Sequence, residues 1–331
     1  MLTKIVYALV SNENDYYLEQ ALISVYSLKQ VQPDAFVELV IDTSTNKNLK
    51  GKRSKILSLI DKKNIVSPPP GFTKAQISRY LKTNLRQIVE GPFLFVDTDT
   101  IIVERLDSID DLISKGVDIS AVKDNHCDFS FMRKRNLMIE RSSKIGWTDI
   151  VNDKIHFNSG VMFVNETKYA HDFYKKWYSN WIYEKEKGLF FDQLALAKTA
   201  RDDNYPIVIL DDGWNCQICE DGLKFLYQAK IIHYYGDRGR GRAYYFRNSE
   251  VFEDIKQKGD ISKEIAKQIS LAKSAFQGHV LVLGNEDVDF VSSNLKTLYS
   301  HHRSTFCLID RIVGGYLNVR KQIKQIIKWK K

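Results

Sequence analysis

The segment Phe93-Leu-Phe-Val-Asp97-Thr98-Asp99-Thr100-Ile-Ile-Val103 constrains this chain more than any other. Its opening run of apolar residues reads as a strand buried on both faces, the pattern of a central parallel strand in an α/β sheet. Two aspartates two residues apart follow, with apolar residues on either side. Aspartate is depleted from strands, and charge beside a core is costly unless something compensates it. A divalent cation is the simplest compensation. The plain alternative is a strand-end turn in which both carboxylates cap and meet water. Open α/β sheets gather their ligands at the carboxyl ends of strands, which is where Asp97 and Asp99 stand.

The flanking sequence supports an α/β organisation. Lys4–Val10 and Phe36–Ile41 are short apolar runs of strand length, separated by helical spacing at Leu18, Leu22, Val25 and Leu28. Gly51–Ile60 and Ile77–Val89 read as helices, with Ser67-Pro-Pro-Pro-Gly71 a hard stop between them. Phe157–Val164, Pro206–Leu210 and Lys230–Tyr235 read as strands, Tyr169–Glu186 and Asp192–Thr199 as helices. Asp124–Ile155 has no clean period and is expected beside a site or in a lid. Beyond about residue 250 strand signals fade, leaving charged helical stretches and the apolar run Val280–Leu283. Two domains are therefore expected, 1–250 and a helical 251–331.

Four further stretches carry groups suited to chemistry. His156-Phe157-Asn158-Ser159-Gly160 reads as a tight turn feeding a strand, with amide and hydroxyl groups suited to sugar hydroxyls. Asp192-Gln193 opens a helix, where aspartate is by default a cap. Trp214-Asn215 reads as a loop anchored by a packed indole. His233-Tyr-Tyr-Gly236-Asp237-Arg238-Gly239-Arg240 ends a strand in a loop whose glycines permit close backbone approach and whose arginines can clamp phosphate.

Any one of these is weak, but together and in this order they resemble the family 8 glycosyltransferases, over roughly residues 4–245. That family uses nucleotide sugars on a GT-A fold, a Rossmann-like, mainly parallel mixed sheet flanked by helices. The resemblance implies that Asp97, Asp99 and His233 hold Mn²⁺ or Mg²⁺, an imidazole ligand tilting the choice to Mn²⁺. It implies that Ala8, Val10 and Asn12 (or Asn14) lie along the nucleotide, with Asp97 or Thr98 near the ribose. Arg79 would face the diphosphate or donor sugar, and Asn158, Ser159, Asp192 and Gln193 the sugar pocket. Gly236, Arg238 and Arg240 would meet the diphosphate. Two positions depart from the family: Val10, where a polar or acidic residue is common, and Gly239, where a lysine is common.

The implied reaction moves a hexose from a UDP-sugar, UDP-glucose or UDP-galactose, to a saccharide acceptor, with retention at the anomeric carbon. Asp192 or Gln193 would support the oxocarbenium-like centre. Bacterial surface glycan assembly, such as capsule or lipopolysaccharide, is the expected setting. A sugar-phosphate nucleotidyltransferase is the runner-up, but Leu9–Tyr16 lacks the glycine-rich basic phosphate loop it would need. A nucleic-acid binder is disfavoured by where the charge lies. The chain is +8 overall, yet residues 311–331 hold seven bases and no acid, leaving the body near +1.

In that tail Ile312, Tyr316, Val319, Ile323, Ile326 and Ile327 share one arc, with Lys321, Lys324, Lys328 and Lys331 beside it. A basic amphipathic helix starting after Gly314-Gly315 is expected. It would either lie on an anionic membrane surface or pack on the body with its lysines solvated. No apolar run is long enough to span a bilayer, and residues 1–10 lack a cleavage site, so a cytoplasmic, peripheral protein with a lipid-linked acceptor is the expectation. Four cysteines are too few for a disulfide framework. Cys216 and Cys219, a C-x-x-C, are read as idle buried thiols rather than half a metal or redox site.

Overall fold

A computed structural model of the chain describes residues 1–132, 134–189, 191–235, 244–276, 290 and 293–329, side chains of 321–329 excepted. Among the described residues ten strands form two sheets: β1 (Lys4–Leu9), β2 (Val37–Asp42), β3 (Lys62–Val66), β4 (Phe93–Val96), β5 (Thr100–Ile102), β6 (Ile119–Lys123), β7 (Phe157–Val164), β8 (Val208–Ile209), β9 (Cys216–Gln217) and β10 (Ile231–His233). The larger sheet has the order β3-β2-β1-β4-β7-β6-β8 and the smaller β5-β10-β9. β1 pairs in parallel with β2 and β4, and β2 with β3, giving the mixed, mainly parallel sheet expected. β7 runs antiparallel to both β4 and β6. β4 is thus central, but parallel on one side only.

Side-chain alternation splits the core in two. Ile5, Tyr7 and Leu9 of β1 and Leu94 and Val96 of β4 face one cluster, against α1 (Tyr17–Val31). Val6, Val10, Phe93 and Phe95 face the other. There they meet α2 (Lys74–Thr83) and, beyond α3 (Arg135–Lys144), the long α4 (Lys168–Glu186) and α5 (Asp192–Asp202). Each face of the sheet is covered, which is what a continuous apolar strand such as β4 requires.

Local chemistry moved several boundaries. A Thr73–Gln76 capping box starts α2 three residues before the apolar spacing does, and α2 ends at Asn84, ahead of a separate turn, Leu85–Ile88. Gly51–Ser58 is a 3₁₀ helix. Asn158, Ser159 and Gly160 lie inside β7 and not in a turn before it. Beyond β10 come α6 (Ser249–Lys258), α7 (Lys263–Ser270), α8 (Asn294–His301) and α9 (Arg303–Trp329). Val280–Leu283 lies outside the described residues. α9 runs straight through Gly314-Gly315 and so starts well before the position expected, at Arg303.

The junction between α4 and α5 is held by one carboxyl group. Glu184 on α4 is fully buried and its Oε1 accepts the Phe191 N–H at 3.0 Å, just ahead of Asp192. Burial pushes its acid up to about 8, with the charge of Asp192 adding to the effect. The folded state therefore holds a proton that the unfolded chain releases from about 4.5 upward. Stability contributed below that pH falls as pH rises and is gone above about 8. Glu184→Gln keeps the oxygen acceptor without the charge. It should match wild type near pH 5 and exceed it by about 1–3 kcal/mol near pH 9 in denaturant unfolding.

Candidate active site

The antiparallel β7 explains how distant residues meet. Its first residues lie beside the last of β4, with Val161 opposite Val96 and the Asp97 N–H donating to the Gly160 carbonyl at 2.7 Å. Asp97 thus leaves the sheet directly beside Asn158, Ser159 and Gly160. β10 completes the corner: His233 pairs opposite Thr100, and the Tyr234 N–H reaches the Asp99 carbonyl at 3.1 Å.

Asp97, Asp99 and His233 each offer a ligand atom, all within 4.8 Å of one another, and among the described residues no other such group occurs. His233 Nε2 lies 3.2 Å from Asp99 Oδ1. Its Nδ1 faces the Asn215 Oδ1 at 2.8 Å, and the Asn215 amide also reaches Asn158 Oδ1 at 2.9 Å. Burial and the charge of Asp99 raise the Asp97 carboxyl against the pull of Lys82. Burial also opposes ionisation of Asp99, but the contact with His233, a backbone hydrogen bond and the charge of Lys82 together lower the carboxyl. Two carboxylates and an imidazole converging on one small volume is a donor set that fits a divalent cation.

Gly160 is what leaves that volume open. A Cβ there would stand 2.3 Å from His233 Cε1 and 2.9 Å from both Asp97 Oδ2 and Asn158 Oδ1. The imidazole it would meet is buried and bonded at Nδ1, so relieving such a contact means displacing a ring that is held in place.

Asp192 faces the same corner and is not a cap: the α5 N-cap is Phe191, without a side-chain bond. Its carboxylate meets Lys82 Nζ at 3.3 Å, Arg79 Nε at 3.3 Å and the Ser159 hydroxyl at 2.8 Å. Burial would raise its pKa, but Lys82 and Arg79 prevail and hold it at about 2. Lys82, buried over the Phe95 ring, also reaches Asp97 Oδ2 at 3.1 Å and Ser159 Oγ at 3.2 Å. Lys82 is thus a bridge between the two carboxylate groups that sequence reasoning missed. It stands three residues from Arg79, one helical turn on the same face, and that spacing was a usable signal.

The remaining candidates are less tightly joined. Thr98 sits between the two aspartates, partly exposed. Ala8, Val10 and Asn12 lie at the carboxyl end of the neighbouring β1, where Asn12 bonds within its own loop to Asp15 and Asn14. Gly236, Arg238 and Arg240 lie outside the described residues. Gln193 lines a cavity of about 190 Å³ with Asp124, Met132, Leu137, Arg141 and Tyr235, so the poorly patterned 124–155 stretch does border the site. Asn125 and His126 there both adopt φ of 55°, held by Gln217, whose Oε1 accepts the Asn125 N–H at 2.9 Å and whose own N–H meets His126 Nε2 at 3.0 Å. Strained backbone of this kind costs of order 1–3 kcal/mol and persists only where its surroundings over-determine it.

The cysteine pair takes no part. Cys216 bonds the Gly222 carbonyl and Cys219 accepts from Arg247, and both are buried free thiols.

Gly160→Ala should weaken Mn²⁺ binding at least tenfold in a titration and lower stability by about 1–3 kcal/mol, the usual cost of overpacking. Unchanged Mn²⁺ affinity in a folded variant would contradict this placement of the site.

No curated protein sequence matches the chain. Among solved structures, the galactosyltransferase LgtC in complex with donor and acceptor sugar analogs is similar at 16% identity and a TM-score of 0.50, over 80% of this chain and all of that one. The bifunctional glycosyltransferase WbbM is similar at 15% identity and a TM-score of 0.50, over 82% of this chain but 51% of that one. Mouse xyloside xylosyltransferase 1 gives 15% identity and a TM-score of 0.49, over 72% of this chain and 98% of that one. At these identities the two likenesses with a TM-score of 0.50 speak for the fold alone, GT-A. The family described as glycosyl transferase family 8 matches residues 8–238, well over half the sequence. This chain belongs to glycosyl transferase family 8 and is a glycosyltransferase of GT-A fold.

Proposed function

We propose that the chain transfers a hexose, from UDP-glucose or UDP-galactose, to a saccharide acceptor with retention of anomeric configuration. The observation that carries this reading is the facing of two groups across one corner: Asp97, Asp99 and His233 on one side, Asp192 with Lys82 and Arg79 on the other. Asp97, Asp99 and His233 would hold Mn²⁺, which supplies Lewis-acid stabilisation of the departing diphosphate. Lys82 and Arg79 add fixed positive charge where the leaving group gathers negative charge. Ala8, Val10, Asn12 and Thr98 border the nucleoside; Asn158 and Ser159 belong to the sugar side.

In the transfer, the bond from the anomeric carbon to the diphosphate oxygen breaks and a bond to the acceptor oxygen forms on the same face. The acceptor's proton passes to the departing phosphate oxygen, and UDP leaves. Asp192 is suited to support positive charge at the anomeric carbon because its carboxylate stays ionised down to about pH 2. Gln193 stands at the boundary with the cavity that would take the acceptor.

Residues 1–250 form the catalytic domain in this reading, and 251–331 a helical extension. Among the described residues no helix is long and apolar enough to cross a membrane. On α9, Leu308, Ile312, Tyr316 and Val319 are each more than half exposed at helical spacing. A stripe so placed is covered by no part of the described body. With the bases of 311–331 beside it, an anionic membrane is the surface it suits, each Lys or Arg contributing roughly 1 kcal/mol near the headgroups. The acceptor is then a lipid-linked saccharide at the cytoplasmic face, as in bacterial surface glycan assembly.

Two measurements test this. Slow donor hydrolysis across a panel of UDP- and GDP-sugars should release UDP from one donor with Mn²⁺, stop with EDTA, and fall at least a hundredfold in Asp99→Ala. Absence of both UDP and Mn²⁺ binding would sink the reading. In flotation assays the full chain should bind vesicles containing anionic phospholipid but not neutral ones, and detach at high salt. Ile312→Glu with Tyr316→Glu should abolish that binding without changing donor hydrolysis.

A further inference from the structure

We propose that Asn215 is a positioning residue that fixes the tautomer of His233, so that the ring presents a lone pair at Nε2 to the cation. This rests on the reading of Asp97, Asp99 and His233 as a cation site. The argument starts from a group with no choice of role. The Gly160 N–H can only donate, and it does so to Asn158 Oδ1 at 3.0 Å. That identifies which end of the Asn158 amide is oxygen, consistently with its Nδ2 donating to Asp124 Oδ1 at 3.0 Å.

Asn215 meets the same Asn158 oxygen at 2.9 Å and must present its Nδ2 there. Its Oδ1 is thereby turned to His233 Nδ1 at 2.8 Å, which must carry the proton. In the neutral ring the remaining nitrogen, Nε2, is therefore the acceptor, and it stands 3.2 Å from Asp99 Oδ1. A bare Nε2 and a carboxylate oxygen so placed are a pair that a shared cation would join.

Asn158, Asn215 and His233 are 4%, 0% and 3% exposed, so solvent cannot substitute for any of these bonds. The imidazole is also confined sideways, by Gly160 at Cε1 and by the Tyr235 ring at a centroid distance of 4.4 Å. The Asn158 amide has its oxygen and its nitrogen both engaged within the protein. Its place is the middle of a relay from a strand amide to a metal ligand. Outer partners of metal-bound histidines of this kind set ring orientation and ligand basicity.

The test joins a spectrum and a titration. Two-bond ¹H–¹⁵N spectra of the metal-free wild type, taken where the ring is neutral, should show the His233 proton on Nδ1. Mn²⁺ titration, with and without UDP and followed by electron paramagnetic resonance, should show affinity falling 10–100-fold in Asn215→Leu. Asn158→Ala, one step further back, should cost less. The proposal is overturned by a neutral wild-type ring whose proton lies on Nε2, or by a folded Asn215→Leu with wild-type Mn²⁺ affinity. Should Asn215→Leu fail to fold, the wild-type spectrum decides, because it needs no variant. A wild type with the Nδ1–H ring that binds no Mn²⁺, with or without UDP, removes the cation reading instead, and this role falls with it.

Discussion

The hydrogen bond from the Asp97 N–H to the Gly160 carbonyl is the joint on which the site is built. It exists because β7 enters the sheet in the opposite sense to β4, bringing the start of one strand against the end of the other. A parallel neighbour would have carried Asn158, Ser159 and Gly160 to the far edge of the sheet. From that joint the rest follows in short steps. Ser159 reaches Asp192 and Lys82, Asn158 reaches Asn215, and the glycine leaves room for the imidazole of His233. The smaller sheet then serves one purpose, to deliver His233 and Asn215 to that corner from the other end of the catalytic sequence.

Much of this was legible in the residues. Continuous apolar runs identified β1, β4 and β7, because strands covered on both faces have no polar side to show. The order of the motifs around Asp97, Asp99, Asp192 and His233 carried the family resemblance, and the resemblance implied the chemistry. What escaped were elements whose signal is tertiary. β3 is an edge strand of sequence Lys-Lys-Asn-Ile-Val, with exposed and half-buried positions in alternation, and carries little apolar signature. The 3₁₀ turns and short helix of 124–155 are held by long-range bonds, such as those of Gln217, that no local pattern announces.

The same limit applied to roles. Asp192 at the start of a helix reads as a cap, and only the arrival of Lys82 and Arg79 from α2 shows that its carboxylate points elsewhere. Asn215 reads as a loop residue beside an anchoring tryptophan, since nothing local reveals that its amide is shared between a strand and a histidine. Lys82 differs from these, because one helical turn from Arg79 was enough to suspect it.

Lys82 also has a consequence for the order in which charge can accumulate. With a neutral His233, the carboxylates of Asp97, Asp99 and Asp192 against the cations of Lys82 and Arg79 leave the corner one negative charge in excess. A dication reverses that imbalance to one positive, and a diphosphate restores one negative. Each arrival overshoots neutrality by the same single unit, so each prepares the field that attracts the next. Without the lysine the starting deficit would be twofold, the dication would be held in an already balanced site, and the incentive for a diphosphate to follow would vanish. A lysine that need touch neither sugar nor base would in this way tie the two arrivals together.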